Sequence, residues 1–392
     1  MRLEITNVAM PYAEPEQAGF SRERLKRVDQ LFRRLLDERK FAGLISLVVR
    51  HGRVAHFECA GHADIEADRP MRPETIFRIY SMTKPITSAA VLMLMEDGSI
   101  RLDDPISKYI PSFSGQKVLS DEPGSSGKLV APNRPPTVFD LLTHTAGLTY
   151  GWDADHVIER SCAEKVTKAR TENSDLTLAE MADLIASVPL SFQPGTRFQY
   201  SYSTDVLGCI VQVASGLPFE TFLQERIFGP LGMPDTGFFV PPDKLSRFAA
   251  NYGPNGEGGL KQIDPIDQSK FAKPPKCPSG GGGLVSSAGD YLKFAQMLLR
   301  GGEYGGIRVL GRKTVELMTV NHLPAGVRPF GNPGAGFGLG VGVVGDIAYA
   351  KAPDSVGSYA WSGAANTQWW NDPAEDMTAM VLTQFMPFDA YP

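Results

Sequence analysis

Apolar side chains recur at helical spacing near the start of the chain, where Leu25, Val28, Leu31, Phe32, Leu35 and Leu36 form one stripe behind Ser21. That pattern, with serine as the cap, predicts an amphipathic helix over 21–39. The period then shortens: 44–50 and 54–60 are apolar runs of strand length separated by His51-Gly52-Arg53, which reads as a β-hairpin. From Pro85 through Ile86, Ala89, Ala90, Val91, Leu92, Leu94 and Met95 the run is mostly apolar and stops at Asp97-Gly98, as a largely buried helix would. Toward the other end, 337–344, 359–363, 367–371 and 378–384 read as strands, with an Asp372-Pro373 turn between the last two. A helix over 289–300, capped by Ser287 and ended by Gly301-Gly302, precedes them.

Between these ends the pattern changes to helical pieces joined by loops rich in Pro, Gly and Asp. The clearest helices are 178–188, where Thr177 and Glu180 make a capping box, and 205–214. The expected fold is therefore α/β (α+β), an antiparallel sheet flanked by helices. Residues 1–98 and 286–392 would build that domain, with 99–285 inserted as a mainly helical domain and the active-site cleft between them. A long loop is expected at 112–137, and 240–280 is expected to wall the cleft.

Ser81-Met82-Thr83-Lys84 opens the buried helix and places a hydroxyl and an amine three residues apart. On a helix such residues share a face with Cβ atoms about 5–6 Å apart, so Lys84 reaches the Ser81 hydroxyl. The helix start adds unpaired N–H groups and a partial positive charge suited to an oxyanion. Ser114 to Lys117 and Ser125 to Lys128 repeat the letters, but in a Gly/Ser/Pro-rich loop with no apolar run behind them. Tyr200 lies on a loop after Pro194-Gly195 and before a helix, a placement common for catalytic groups. Trp361-Ser362-Gly363-Ala364 ends a strand, and its glycine lets a substrate approach the backbone. Gly340-x-Gly342-x-x-Gly345 matches a dinucleotide fingerprint by letters only, since no strand-turn-helix context surrounds it.

Composition removes several classes of function. A net charge of −5 over 392 residues gives no basic footprint for nucleic acid. No stretch approaches the roughly 18 apolar residues of a membrane span. Met1 to Pro15 has no apolar leader core, so a cytoplasmic protein is expected. The four cysteines, Cys59, Cys162, Cys209 and Cys277, and the six histidines show no metal-ligand spacing, which predicts chemistry without metal or cofactor. No Gly-x-Ser-x-Gly elbow occurs, and His144 reads as structural.

The Ser-x-x-Lys at a helix start, the Tyr-Ser-x loop and the Trp-x-Gly strand, in this order, resemble the family VIII carboxylesterases, relatives of class C β-lactamases and D,D-peptidases. His144-Thr145-Ala146-Gly147-Leu148, Pro230-Leu231-Gly232-Met233 and Ser279-Gly280-Gly281-Gly282-Gly283 also resemble stretches of that superfamily. The resemblance implies Ser81 as nucleophile, Lys84 and Tyr200 as the proton-handling pair, and the backbone N–H groups of Ser81 and Ala364 as the oxyanion hole. Which of Lys84 and Tyr200 is the base stays open. Tyr200-Ser201-Tyr202 stands where class C enzymes have Tyr-x-Asn, and Trp361-Ser362-Gly363 where they have Lys-Thr-Gly. A cation there would pair with a lactam carboxylate, an interaction worth about 1.5–3 kcal/mol.

The expected activity is hydrolysis of short, neutral carboxylic esters through an acyl-Ser81, with a weak β-lactamase side activity. The expected partner is the small-molecule ester, with no nucleic acid and no membrane. Tyr202, Trp361, Ser362, Gly363, Tyr150 and Trp152 are the candidate substrate-binding residues, with Phe192 and Phe330 as further guesses for the acyl pocket. The rival readings are a β-lactamase or D,D-peptidase, an acyltransferase using the same acyl-enzyme, and a non-catalytic binding protein of the same fold.

Overall fold

The apolar run after the first helix becomes the strand Gly43–Arg50, in which Leu44, Ile45, Leu47 and Val49 are all buried. A strand apolar without alternation has both faces covered, and this one lies inside an eight-stranded sheet. The computed structural model describes residues 10–122, 127–350 and 352–388. From one edge the strands are Ala335–Phe337, Gly342–Val344, Tyr359–Gly363, Thr367–Asp372, Met377–Thr383, Gly43–Arg50, Arg53–Asp64 and Arg69–Pro70. Each is antiparallel to its neighbour. In the middle of the sheet Leu44 faces Thr383 and Arg50 faces Met377, so segments from opposite ends of the chain are hydrogen-bonded neighbours.

Helices cover the sheet as the apolar stripes require. Arg22–Asp37, with the Ser21 hydroxyl accepting from Arg24 N, packs on Arg53–Asp64. Ala288–Leu299, capped by Ser287, packs on Thr367–Asp372 and Met377–Thr383. Two buried bonds pin it there: Asn371 Nδ2 donates to Ala295 O and Gln296 Nε2 to Thr378 Oγ1, each at 2.8 Å. Thr83–Glu96 is buried from Thr83 through Leu94, as its apolar run predicts, and runs against Ser203–Ser215.

The region 99–285 supplies the helices Val138–Leu142, Val157–Cys162, Leu178–Ala186, Ser203–Ser215 and Phe219–Leu223. Both halves of the Thr177/Glu180 capping box are present. The later part of this region also pairs with segments from the two ends of the chain: Ile76–Arg78 forms a separate two-stranded sheet with Val285–Ser287, Phe248 bridges to Ile76, and Tyr252 bridges to Phe385.

Four details differ from the sequence reading. The run 337–344 is not one strand but two, Ala335–Phe337 and Gly342–Val344, because the chain doubles back between them: Gly338 N donates to Val341 O, and Gly340 takes a φ of +88°. The glycine fingerprint is therefore mostly a hairpin, and it is followed by a four-residue helix, Ile347–Ala350, where none was expected. That helix is too short to offer a phosphate site. The helix 178–188 stops at Ala186 because Val188 precedes Pro189, whose ring disfavours helical backbone in the residue before it. The loop 112–137 holds a small ribbon, Val118–Leu119 with Leu129–Val130. Ser114 only ends a short turn, Pro111–Phe113. Ser125 and the segment before Met10 lie outside the described residues.

Candidate active site

Ser81 sits in a 3-10 turn, Tyr80–Met82, that runs directly into Thr83–Glu96. It therefore lies one step ahead of the α-helix rather than within its first turn. The residue before it is held in an unusual backbone state: Tyr80 has φ of +41°, a region that costs a non-glycine residue about 1–3 kcal/mol. Neighbours hold the turn there. Tyr291 Oη donates to Met82 O at 3.0 Å, Leu284 N donates to Thr83 Oγ1 at 3.1 Å, and the Tyr80 ring meets Phe271 edge-on at 5.8 Å. Just upstream, the fully buried Arg78 bonds Asp264 at 2.6 Å and Ala249 O at 2.6 Å, tying the approach to the turn into two other segments.

Lys84 is fully buried, and its Nζ contacts three oxygens: Gly281 O at 2.6 Å, the Tyr150 hydroxyl at 3.1 Å and Ser81 Oγ at 3.2 Å. Gly281 belongs to the glycine run, and Asp205 fixes that run by accepting from Gly281 N at 3.3 Å and from Ser279 Oγ. Glycine is needed there, since a Cβ on Gly281 would lie 2.4 Å from Asp205 Oδ2.

Both tyrosines lie beside Lys84, in different ways. The Tyr200 ring faces Nζ, 4.5 Å from its centroid, while its hydroxyl accepts from Trp361 Nε1 at 3.3 Å. The hydroxyl that meets Lys84 belongs to Tyr150, named in the sequence only as a substrate contact. Burial, with Tyr200 and Asp205 adding to it, holds the Tyr150 phenol well above its ordinary pKa, so it stays protonated. Behind Tyr200 lies His144, its ring 4.9 Å away and its Nδ1 3.2 Å from Ser201 Oγ. Burial first, and Lys84 second, keep His144 neutral. It takes no part in a bond to Ser81.

The strand Tyr359–Gly363 closes the other side. Gly363 abuts the nucleophile turn so closely that a Cβ would sit 2.3 Å from Ile79 O. Ala364 and Ser81 then line one cavity of about 460 Å³, together with Tyr80, Tyr150 and Tyr202. Trp361 is turned toward Tyr200 and stacks with Phe330 at 6.4 Å, and Trp152 stacks on Tyr150 at 4.9 Å. Trp152 and Phe330 are 70% and 67% exposed, an aromatic rim on the surface. Ser362 lies between Trp361 and Gly363 in the same strand, paired with Gln368. Phe192 is buried and does not line the cavity.

Two charged cavity residues had no signal in the sequence. Arg170 and Lys270 both face the cavity, from segments 89 and 189 positions after Ser81 (170 − 81 and 270 − 81). A single Arg or Lys outside any motif is indistinguishable from a solvated surface charge.

The family model described as Beta-lactamase matches residues 28–391. Protein Rv1367c of Mycobacterium tuberculosis (strain ATCC 25618 / H37Rv) is 36% identical over 364 residues, covering 91% of this chain and 88% of its own. Esterase EstB of Burkholderia gladioli is 33% identical over 377 residues, covering 91% and 89%. Among solved structures, EstCE1, described as a hydrolase with promiscuous acyltransferase activity, superposes with a TM-score of 0.76 at 30% identity, over 93% of this chain and 94% of its own.

Proposed function

Because this chain belongs to the beta-lactamase family, we propose that it is a serine carboxylesterase of the family VIII kind, hydrolysing short esters through an acyl-Ser81. The observation that carries this is the contact of Lys84 Nζ with Ser81 Oγ at 3.2 Å, in a cavity that Ala364 also lines. The likeness to EstB supports esters as the substrate class.

The geometry suits Lys84 as the base. Gly281 O and the Tyr150 hydroxyl accept two Nζ hydrogens, and Ser81 Oγ lies where the third would point. Once that third proton is lost, the lone pair it leaves points at Ser81 Oγ. Ser81 attacks the ester carbonyl while its proton passes to Lys84, and the oxyanion rests on the N–H groups of Ser81 and Ala364. Each such donor is worth about 2.7–4 kcal/mol in the transition state. The tetrahedral intermediate expels the alkoxide, which takes the proton back and leaves as alcohol. Water then attacks the acyl-Ser81 while its proton passes to Lys84; as the bond from Oγ to the acyl carbon breaks, Lys84 returns that proton to Ser81 Oγ and the acid departs. Tyr200 acts here as an orienting wall for Lys84, with its hydroxyl held by Trp361.

Trp361 supports esters over lactams. It stands where class C enzymes have lysine, and its single N–H is already used by Tyr200. Transfer of the acyl group to an alcohol instead of water would follow the same steps, and EstCE1 is described as having promiscuous acyltransferase activity.

Initial rates on p-nitrophenyl butyrate and nitrocefin, for wild type and Ser81→Ala, test the proposal. Ester cleavage that the substitution abolishes, with slow or no lactam cleavage, is the expected result. Faster turnover of nitrocefin would refute the ester preference, and a fully active Ser81→Ala would refute the site.

A further inference from the structure

The cavity that Ser81 lines carries a cationic patch. Arg170 and Lys270 line the same cavity as Ser81. A second cavity of about 460 Å³ shares Arg170, Thr171, Lys270, Ser279 and Gly282 with the first, and so continues it outward. It adds Lys273 and Lys276. Against these four cations the lining of the two cavities holds one acid, Asp175, which is already paired with Lys276 at 2.8 Å. The surplus is positive in a chain whose net charge is −5.

The two inner cations are poised for a ligand. Lys270 makes no ion pair among the described residues and rests on the Phe271 ring, with Nζ 5.4 Å from its centroid. Arg170 donates to Ser279 Oγ at 3.2 Å and lies over the Tyr202 ring at 5.7 Å. Asp205 offsets part of its charge; Asp205 Oδ1 accepts from Ser279 Oγ and Gly281 N, while its Oδ2 has no hydrogen-bond partner among the described residues. Two cations that repel each other across an open cavity are relieved when an anion binds between them. A guanidinium fork beside an ammonium suits a planar or tetrahedral oxyanion.

We infer that the cleft takes esters whose far end carries an oxyanion, a carboxylate or a phosphate, which Arg170 and Lys270 hold while the uncharged ester carbonyl lies at Ser81. This rests on the esterase reading and extends it: neutral esters react, and an anionic tail improves them. Trp361 lines neither of the two cavities, whereas Arg170 and Lys270 line both.

The test compares p-nitrophenyl butyrate with mono-p-nitrophenyl glutarate and 4-butyryloxyphenyl phosphate, on wild type, Lys270→Gln and Arg170→Lys. Wild type should favour an anionic ester over the neutral one by about tenfold in kcat/KM, mainly through KM. Both substitutions should shrink that ratio, and whichever anion is preferred tells carboxylate from phosphate. Calorimetric titration of glutarate and of inorganic phosphate gives a second readout that needs no turnover: binding to wild type, weakened in Lys270→Gln, is expected. The inference is overturned if neither anion binds and no anionic ester is preferred, or if the preference is the same in Lys270→Gln. If p-nitrophenyl butyrate is not cleaved at all, the esterase reading fails, and the titration alone decides the anion site.

Discussion

Gly363→Ala joins the fold to the chemistry. A Cβ at this position would lie 2.2 Å from Thr367 Oγ1 and 2.3 Å from Ile79 O. Carbon and oxygen in contact keep about 3.3 Å, so one side must retreat by about 1 Å. Thr367 can rotate its hydroxyl away, but Ile79 O is backbone, two residues before Ser81. The strand leading to Ala364 and the turn carrying Ser81 are therefore forced apart, and the two proposed oxyanion donors separate with them. A displacement of that size costs about 100-fold in rate, and loss of one donor costs about 100- to 1,000-fold. Overpacking costs about 1–3 kcal/mol of stability, too little to unfold a chain of this size outright. Stopped-flow measurement of the p-nitrophenol burst at saturating ester reads acylation directly, and near-ultraviolet circular dichroism checks the fold. Gly237→Ala is the control, because its Cβ would meet Phe239 O at an ordinary 3.7 Å. The expected result is a burst slowed about 100-fold in Gly363→Ala alone. If both variants acylate at the wild-type rate, the strand does not supply a donor and the argument fails.

Tyr150→Phe leaves one Nζ hydrogen of Lys84 without its partner and should lower kcat about 10- to 100-fold with little change in melting temperature, measured on p-nitrophenyl butyrate. Trp361→Phe keeps the apolar area but releases the Tyr200 hydroxyl, and a loss of about fivefold in kcat is expected for one neutral hydrogen bond; an unchanged rate would mean that bond is idle. Arg78→Leu strands the Asp264 carboxylate and Ala249 O, and urea denaturation should show a loss of about 3 kcal/mol or more. Burial raises the Asp290 carboxyl to about 6 despite Lys293 at 3.7 Å. A carboxyl raised in the folded state binds more protons there than when unfolded, so its contribution is largest below about 4 and falls as pH rises through about 6. Asp290→Asn should therefore compare more favourably with wild type at pH 7.5 than at pH 4.5, by about 2–3 kcal/mol in urea melts, and an equal difference at both would refute this.

The periodic segments were legible because burial leaves a local record. Leu25 to Leu36, Leu44 to Val49 and Ile86 to Leu94 each carry their environment in their own spacing, and the sheet and central helix follow. The hairpin at Gly338–Gly340 was not, since a glycine that turns a chain and a glycine inside a strand look alike until the neighbouring helix is in place. At the site, Ser81 and Lys84 were legible through three-residue spacing, which is local. Tyr150 was named, but its bond to Lys84 depends on how the loop after His144 packs, and no spacing encodes that. Arg170 and Lys270 were invisible for the same reason: a cation becomes a wall only when the fold sets a cavity in front of it.

The sheet brings together residues as far apart as Leu44 and Thr383, 339 positions in sequence (383 − 44). During synthesis the strand Gly43–Arg50 must therefore wait, with one hydrogen-bonding edge open, until Met377–Thr383 has left the ribosome. At about 5–20 residues per second that is a wait of tens of seconds. An apolar edge exposed for that long is a template for wrong pairing, which makes the nascent chain a natural client for chaperones. The same order of events is a safeguard. Ala364 joins Ser81 at the cavity only when the last strands dock, so the proposed nucleophile meets its proposed oxyanion donor at the end of folding and a stalled or truncated chain carries Ser81 without it.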